Sequence, residues 1–244
     1  MTIGCIWGLL DIDPPIEYWL ASKITTIRND TGGSVVNNGD SIDTWRSTNG
    51  KRRIDRFQRT AESYLYSSNT AWPAVTLVSA QPQKTRMTLS NFLFENGETM
   101  FMVFRIVTNG LHYGFRKYEA TTTVSNPTIN GEQRFTSNGN GAVIGGVIRT
   151  NATGLFQGDL NTVIVYGFRI FQNGTNVTIW AIGHTGVVVV LNVANVTWVS
   201  NRNAFQDIYA NGATINCYHV EINRNIRATA DMLTRRNELA ALYA

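Results

Sequence analysis

The chain reads as an all-β sandwich closed by one C-terminal helix. Three observations predict this class. From residue 74 to residue 192, short segments of period-two hydrophobic alternation follow one another, as half-buried strands do. Turn residues (Asn-Gly, Gly-Gly) separate them at roughly the 8–12-residue spacing of a sandwich. Only the last stretch changes period. From Met232 the apolar side chains fall at Met232, Leu233, Leu239, Ala240, Leu242 and Tyr243, one stripe on a helix.

Size and composition suit that class. A chain of 244 residues, 43% of them hydrophobic, can fill one large β core. Charged residues make up 16%, against about 25% in ordinary soluble domains. Asn, Thr and Gly take their place, residues that tolerate positive φ or bond their own backbone in turns. A net charge of +4 and a pI near 9.2 are too mild a bias to indicate a nucleic-acid protein. No run of about 18 apolar residues occurs, so no membrane insertion is expected.

The elements follow in order. Residues 1–18 are an apolar lead broken by the rigid pair Pro14-Pro15, and they read as an N-terminal contact segment or an edge strand. The lead has no basic start, and Asp11 and Asp13 stand where a signal peptide carries small residues, so no secretion signal is expected. Residues 19–244, without repeat or linker, form a single domain. Two turn signals surround a brief Ser34-Val-Val36 strand, Ser41–Arg46 alternates, and Asn49-Gly50 is a strong turn. Strands are then expected at 74–78, 86–89, 99–107, 110–115, 141–149, 161–171, 176–182 and 186–192. Asn173-Gly174 joins 161–171 to 176–182 as a hairpin. Val187–Leu191 is apolar on both faces and should sit centrally. An alternating strand from Asn216 to Arg224 leads into the helix 229–243, with Thr229 as its cap and Asp231 in the first turn. Arg235, Arg236 and Glu238 fall on the face away from the apolar stripe, toward solvent.

Candidate chemistry is sparse. His112, His184 and His219 are scattered, with no Cys or His at ligand spacing, so no zinc site can be built. Cys5 and Cys217 are either two buried free thiols or a disulfide joining the chain ends. No Gly-X-Ser-X-Gly elbow and no glycine-rich nucleotide loop is present. The densest charge cluster is Arg46, Lys51, Arg52, Arg53, Arg56 and Arg59, opposed by Asp43 and Asp55. It reads as a solvated loop with local ion pairs, or as a contact for an anionic partner: an acidic glycan or a neighbouring subunit's carboxylates. Its aromatics are not interleaved as stacking platforms, so nucleic acid is not expected. Of the tryptophans (Trp7, Trp19, Trp45, Trp72, Trp180, Trp198), those in strand-like contexts should pack in the core. Trp198, followed by Ser200-Asn201, is the candidate for exposure and, with Asn201, for glycan contact.

Several segments, in sequential order, resemble a family: the concanavalin A-like (laminin-G-like) jelly-roll domains, in the version common in bacteriophage virion and bacterial surface proteins. Trp19-Leu-Ala-Ser22 is similar to its opening Trp-Leu-Asp-Ala-Ser. Ile42-Asp-Thr-Trp-Arg46 with Asn49-Gly50-Lys51-Arg52 resembles its Val-X-X-Trp-X-Asp-X-Ser-Gly-Asn segment. Gln58-Arg-Thr-Ala61, Trp72-Pro-Ala-Val-Thr-Leu77 and Thr99-Met-Phe-Met-Val-Phe104 resemble three further pieces. Cys217-Tyr-His-Val-Glu-Ile-Asn-Arg224 and Thr229-Ala-Asp-Met232 resemble its closing strand and helix. The opening Asp and the Asp after Trp45 are missing, which weakens the calcium site that the resemblance would otherwise carry over. No cofactor is expected.

The resemblance implies a two-sheet antiparallel jelly-roll sandwich with one C-terminal helix. It also implies a non-enzymatic structural or adhesive virion protein, a capsid decoration or a tail or fibre component. The partners implied are other virion proteins and further copies of the chain, a trimer favoured. The location implied is the virion, with an extracellular setting as the alternative. A lectin-like module that binds cell-surface glycan is the second expectation, and a glycosidase or lyase the third. Retaining hydrolases of this fold carry a Glu-X-Asp-X-X-Glu strand, and no Glu here has an Asp two residues away. On that ground no catalytic residue is assigned.

Overall fold

The structure is a computed structural model. It describes residues 17–29, 33–34, 37–50, 52–56, 63–78, 84–90, 97–108, 112–118, 131–136, 139–144, 147–150, 162–174, 176–183, 186–194, 205–211 and 214–244. In chain order the first strands are β1 (Glu17–Leu20), β2 (Ile27–Arg28), β3 (Thr44–Arg46), β4 (Arg53–Arg56), β5 (Ser63–Ser67), β6 (Ala74–Val78), β7 (Lys84–Ser90) and β8 (Thr99–Thr108). Next come β9 (His112–Tyr118), β10 (Gly131–Thr136), β11 (Gly139–Ile144), β12 (Val147–Thr150), β13 (Val163–Asn173) and β14 (Asn176–Ile182). The chain closes with β15 (Val188–Val193), β16 (Phe205–Asn211), β17 (Thr214–Asn223) and the helix α1 (Thr229–Leu242).

These strands make two antiparallel sheets. The first runs β15-β14-β13-β8-β17-β6-β5, with β1 also paired to β17. The second runs β12-β11-β10-β9-β16-β7-β4-β3-β2. The two-sheet sandwich with a single helix at its end is the fold class expected from the sequence. Strand order is far from sequence order: β17 lies between β8 and β6, and β16 between β9 and β7.

The core lies on both faces of the first sheet. On one face Trp19, Met100, Met102, Tyr166, Val220 and Ile222 are buried, in cross-strand register. With Trp45, Ile54 and Ile27 of the second sheet, all fully buried, they fill the layer between the sheets. Full burial of each such side chain contributes about 1.5–3 kcal/mol relative to exposure. Trp19 and Trp45 are thus core residues, as their strand contexts predict. Alternation sends Phe101, Val103, Val165 and Ile182 to the opposite face, where they meet Met232, Leu239 and Tyr243 of α1 and its end. Gly167 lies under this seam. A Cβ there would stand 2.4 Å from Phe101 Cε1 and 2.8 Å from Ile182 Cγ2, so the close approach requires glycine.

Four expectations change. The closing strand reads as alternating and half-buried, yet β17 is buried on both faces, because α1 covers the face that carries His219 and Glu221. The run at 187–191 was expected in a central strand, but β15 is the last strand of its sheet, with Val187 56% and Val190 42% exposed. Its apolar second face serves partly to meet α1, since Val188 packs against the helix-covered core. Thr229 does not cap α1. Ala228 holds the cap position, and Asp231 Oδ2 accepts the backbone N–H groups of Arg227 (3.1 Å) and Ala228 (3.0 Å). Finally, the helix stripe is rotated from the expected one. Leu233 is 39% exposed, whereas Arg235 is buried.

The Asn173-Gly174 hairpin forms as expected. Asn173 pairs with Asn176, and Gly174 takes φ 61°. Strands β5, β10 and β16 were not expected from alternation. Cys217 is a buried free thiol whose burial pushes its pKa up to about 12. Cys5 and residues 1–16 of the expected contact segment or edge strand 1–18 lie outside the described residues, while residues 17 and 18 open β1.

Candidate functional site: a charged and aromatic shelf beside the helix

The helix-covered face of the first sheet carries two polar constellations. The first is sealed. Arg235 Nε donates to Glu221 Oε1 at 2.7 Å and Arg235 Nη2 to Glu221 Oε2 at 2.6 Å, a two-pronged pair. Arg235 Nη1 also donates to Glu238 Oε2 at 2.7 Å, and Asn223 Nδ2 to Glu221 Oε1 at 2.8 Å. His219 Nε2 lies 3.2 Å from Glu221 Oε2, and its Nδ1 lies 3.2 Å from the Tyr243 hydroxyl. Burial alone would raise the Glu221 carboxyl. The hydrogen bonds and charge of Arg235, helped by His219, instead hold it down at about 2. Glu221, His219 and Arg235 are all buried, so this seam fastens α1 to β17 rather than meeting a ligand.

The second constellation lies on the same face one register row further along. Asn223, Thr99, Arg169, Trp180 and Val190 stand in a row across β17, β8, β13, β14 and β15. Phe171, Thr178 and Asn192 form the next row, where the Thr178 hydroxyl donates to Asn192 Oδ1 at 2.8 Å. Arg169 is the centre. Its Nε donates to the Gly97 carbonyl at 2.9 Å. Its guanidinium carbon sits 4.0 Å from the Trp180 ring centroid and 5.3 Å from that of Phe171. Trp180 and Phe171 remain partly exposed.

Gly97 shapes this shelf. It takes φ +84°, and a Cβ there would lie 3.2 Å from Phe171 Cδ2 and 3.3 Å from Arg169 Nη2, so backbone and space both call for glycine. The next residue, Glu98, is buried, and its Oε1 accepts from Arg224 Nε at 3.0 Å. Among the described residues Arg169 has no carboxylate partner. Burial, then the positive charge of Arg227, bring its pKa down to about 10. Thr99 Oγ1 and Asn223 Oδ1, in the same row, are buried without a hydrogen-bond partner among the described residues.

The expected site residues are not gathered here. Arg46 and Arg53 are exposed and face one another across β3 and β4, on the second sheet. Arg52 Nε lies 3.9 Å from Glu17 Oε1. Arg56 belongs to β4, but its side chain is outside the description, as are Lys51, Arg59, Trp198 and Asn201. The shelf residues were read only as strand members, with Trp180 assigned to the core, against which it does pack while staying partly exposed. One local signal was available: Arg169 and Phe171 are two apart on one strand and therefore share a face. Its significance depends on Trp180 lying opposite, across the Asn173-Gly174 hairpin. Among the described residues no three His, Cys, Asp or Glu side chains gather as a metal centre would need. Among them, too, no helix is long and apolar enough to cross a membrane.

No protein-family model and no curated protein matches the sequence. Solved structures do resemble the fold. A winged bean acidic lectin complexed with methyl-alpha-D-galactose is 9% identical over 69% of this chain and 95% of its own, with a TM-score of 0.42. A beta-1,3-glucanase from Mycobacterium marinum is 10% identical over 86% of this chain and 98% of its own, with a TM-score of 0.37. A glycosyl hydrolase family protein from Mycobacterium fortuitum is 8% identical over 86% and 99%, with a TM-score of 0.39. Likeness at this level concerns fold alone: the concanavalin A-like jelly roll, shared by lectins and glucanases. It corrects the expectation of a non-enzymatic protein, because enzymes stand among the structures of similar fold. The missing Glu-X-Asp-X-X-Glu pattern tests only carboxylates on one strand. A sheet also juxtaposes carboxylates from strands far apart in sequence, and that arrangement no spacing rule detects.

Proposed function

We propose that the chain is a carbohydrate-binding domain that engages its ligand on the Arg169–Trp180–Phe171 shelf. The observation that carries the reading is the partly exposed indole of Trp180, held in place by the stacked guanidinium of Arg169. A sugar presents C–H faces that pack on aromatic rings and hydroxyls that need partners. Phe171 extends the apolar surface, and Thr178 and Asn192 supply donors and acceptors at its rim. The proposal holds whatever assembly carries the domain, the virus particle suggested by the motif order included.

A glycan array probed with the purified chain, with and without calcium, tests this reading. Wild-type protein is expected to bind a restricted set of glycans. Trp180→Ala, which removes the platform, is expected to lose roughly ten-fold or more of that affinity, the scale of one stacked aromatic contact. A blank array under both conditions, or unchanged binding by a folded Trp180→Ala variant, would overturn it.

A further inference from the structure

The charge around the shelf points to a narrower ligand class. We propose that the shelf receives an acidic sugar, whose carboxylate or sulfate oxygens are bound by the Nη groups of Arg169 with Arg224 and Arg227 at its edge. This inference rests on the carbohydrate-binding reading of the same site.

Two further guanidinium groups belong to this end of the sheet. Arg169 is fixed by the Gly97 carbonyl, Arg224 pairs with Glu98 beside that glycine, and the charge of Arg227 is felt by Arg169. Among the described residues two carboxylates nearby are already engaged: Glu98 by Arg224, and Asp231 by the N–H groups that open α1. Arg169 is therefore 7% exposed and without a counter-charge among the described residues. A cation so placed is costly unless it is paired. Its cost is reduced by the Trp180 and Phe171 rings beneath the guanidinium, and its remaining donors are left for an external anion.

The planar guanidinium matches a planar carboxylate with two parallel hydrogen bonds, and it serves a sulfate similarly. Fixing Arg169 before the ligand arrives lowers the entropy lost on binding. Beside it, Thr99 Oγ1 and Asn223 Oδ1 hold unspent hydrogen-bonding capacity, which a hydroxyl or a water carried in with the ligand would satisfy. A neutral sugar would use the aromatic surface but leave this charge unpaired. That difference is the source of selectivity.

An array holding carboxylated, sulfated and matched neutral glycans separates the alternatives, read with wild type, Arg169→Gln, Arg227→Gln and Trp180→Ala. Wild type is expected to prefer acidic glycans over their neutral counterparts, and the carboxylated and sulfated spots show which anion it takes. Arg169→Gln should lose roughly ten- to hundred-fold in affinity for the acidic glycan, the worth of a charge-assisted hydrogen bond, and little for the neutral one. Arg227 is exposed, so Arg227→Gln keeps the fold intact and should give a smaller loss, confined to acidic glycans. Trp180→Ala should weaken both classes. Binding to neutral glycans alone, or equal losses for both classes in Arg169→Gln and none in Arg227→Gln, overturns the acidic-sugar proposal and leaves the carbohydrate reading standing. Binding to no glycan overturns both.

Discussion

Arg235 decides where the terminal helix sits. Counting apolar positions assigns it to solvent, and the apolar stripe around Met232 and Leu239 is right as far as it goes. What the stripe cannot show is that the sheet face beneath carries Glu221, fourteen residues away, whose carboxylate needs a cation once covered. A buried pair of this kind is of modest net worth, but breaking it strands a charge. Arg235→Met is expected to lower the unfolding free energy by about 3–5 kcal/mol in a denaturant titration, since Glu221 then stays buried with His219 and Asn223 but without its guanidinium partner. Adding Glu221→Leu should restore most of the loss. A double variant as unstable as the single one would mean that packing, not charge, holds the seam. Arg169 poses the same problem in reverse. It is a strand residue in the sequence, and what marks it out is a buried guanidinium with no carboxylate partner among the described residues.

Among elements, what was legible was local. The β13–β14 hairpin follows from Asn173-Gly174, whose positive φ any folding context would exploit. Strands β6 and β8 follow from Ala74–Val78 and Thr99–Thr108, rich in β-branched and aromatic residues. The position of a strand within its sheet was not legible. Val187–Leu191 looks central but, from Val188 on, lies in the last strand of its sheet, because pairing order is set by distant segments and by a helix that covers one of its faces. The β17–α1 seam also sets an acid limit on the fold. The Glu221 carboxyl titrates near 2 in the folded chain against 4.5 as its ordinary value. Its contribution is therefore fully present above about pH 4.5, and it is lost as the pH falls toward 2. Equilibrium unfolding across that window should show about 3 kcal/mol of stability disappearing through this group. Glu221→Gln should flatten that part of the profile. An unchanged profile in the variant would assign the acid sensitivity to other carboxylates.

For the whole molecule, the sandwich was readable and the shelf was not. A period-two pattern with regular turns leaves few architectures open for one domain. The shelf draws on β8, β13, β14, β15 and β17, strands that sequence separates by up to about half the chain and that meet only through the sheet order. The basic cluster at Arg46–Arg59 is conspicuous because its residues are close in sequence, and Arg46 and Arg53 lie on the other sheet. The two locations are rival sites for one ligand. A crystal structure of the chain with the tightest-binding glycan decides between them most directly. A sugar ring is expected against Trp180 and Phe171, with oxygens about 2.7–3.2 Å from the Nη atoms of Arg169. A sugar bound along the β3–β4 edge at Arg46 and Arg53, with the Trp180 shelf empty, would contradict it.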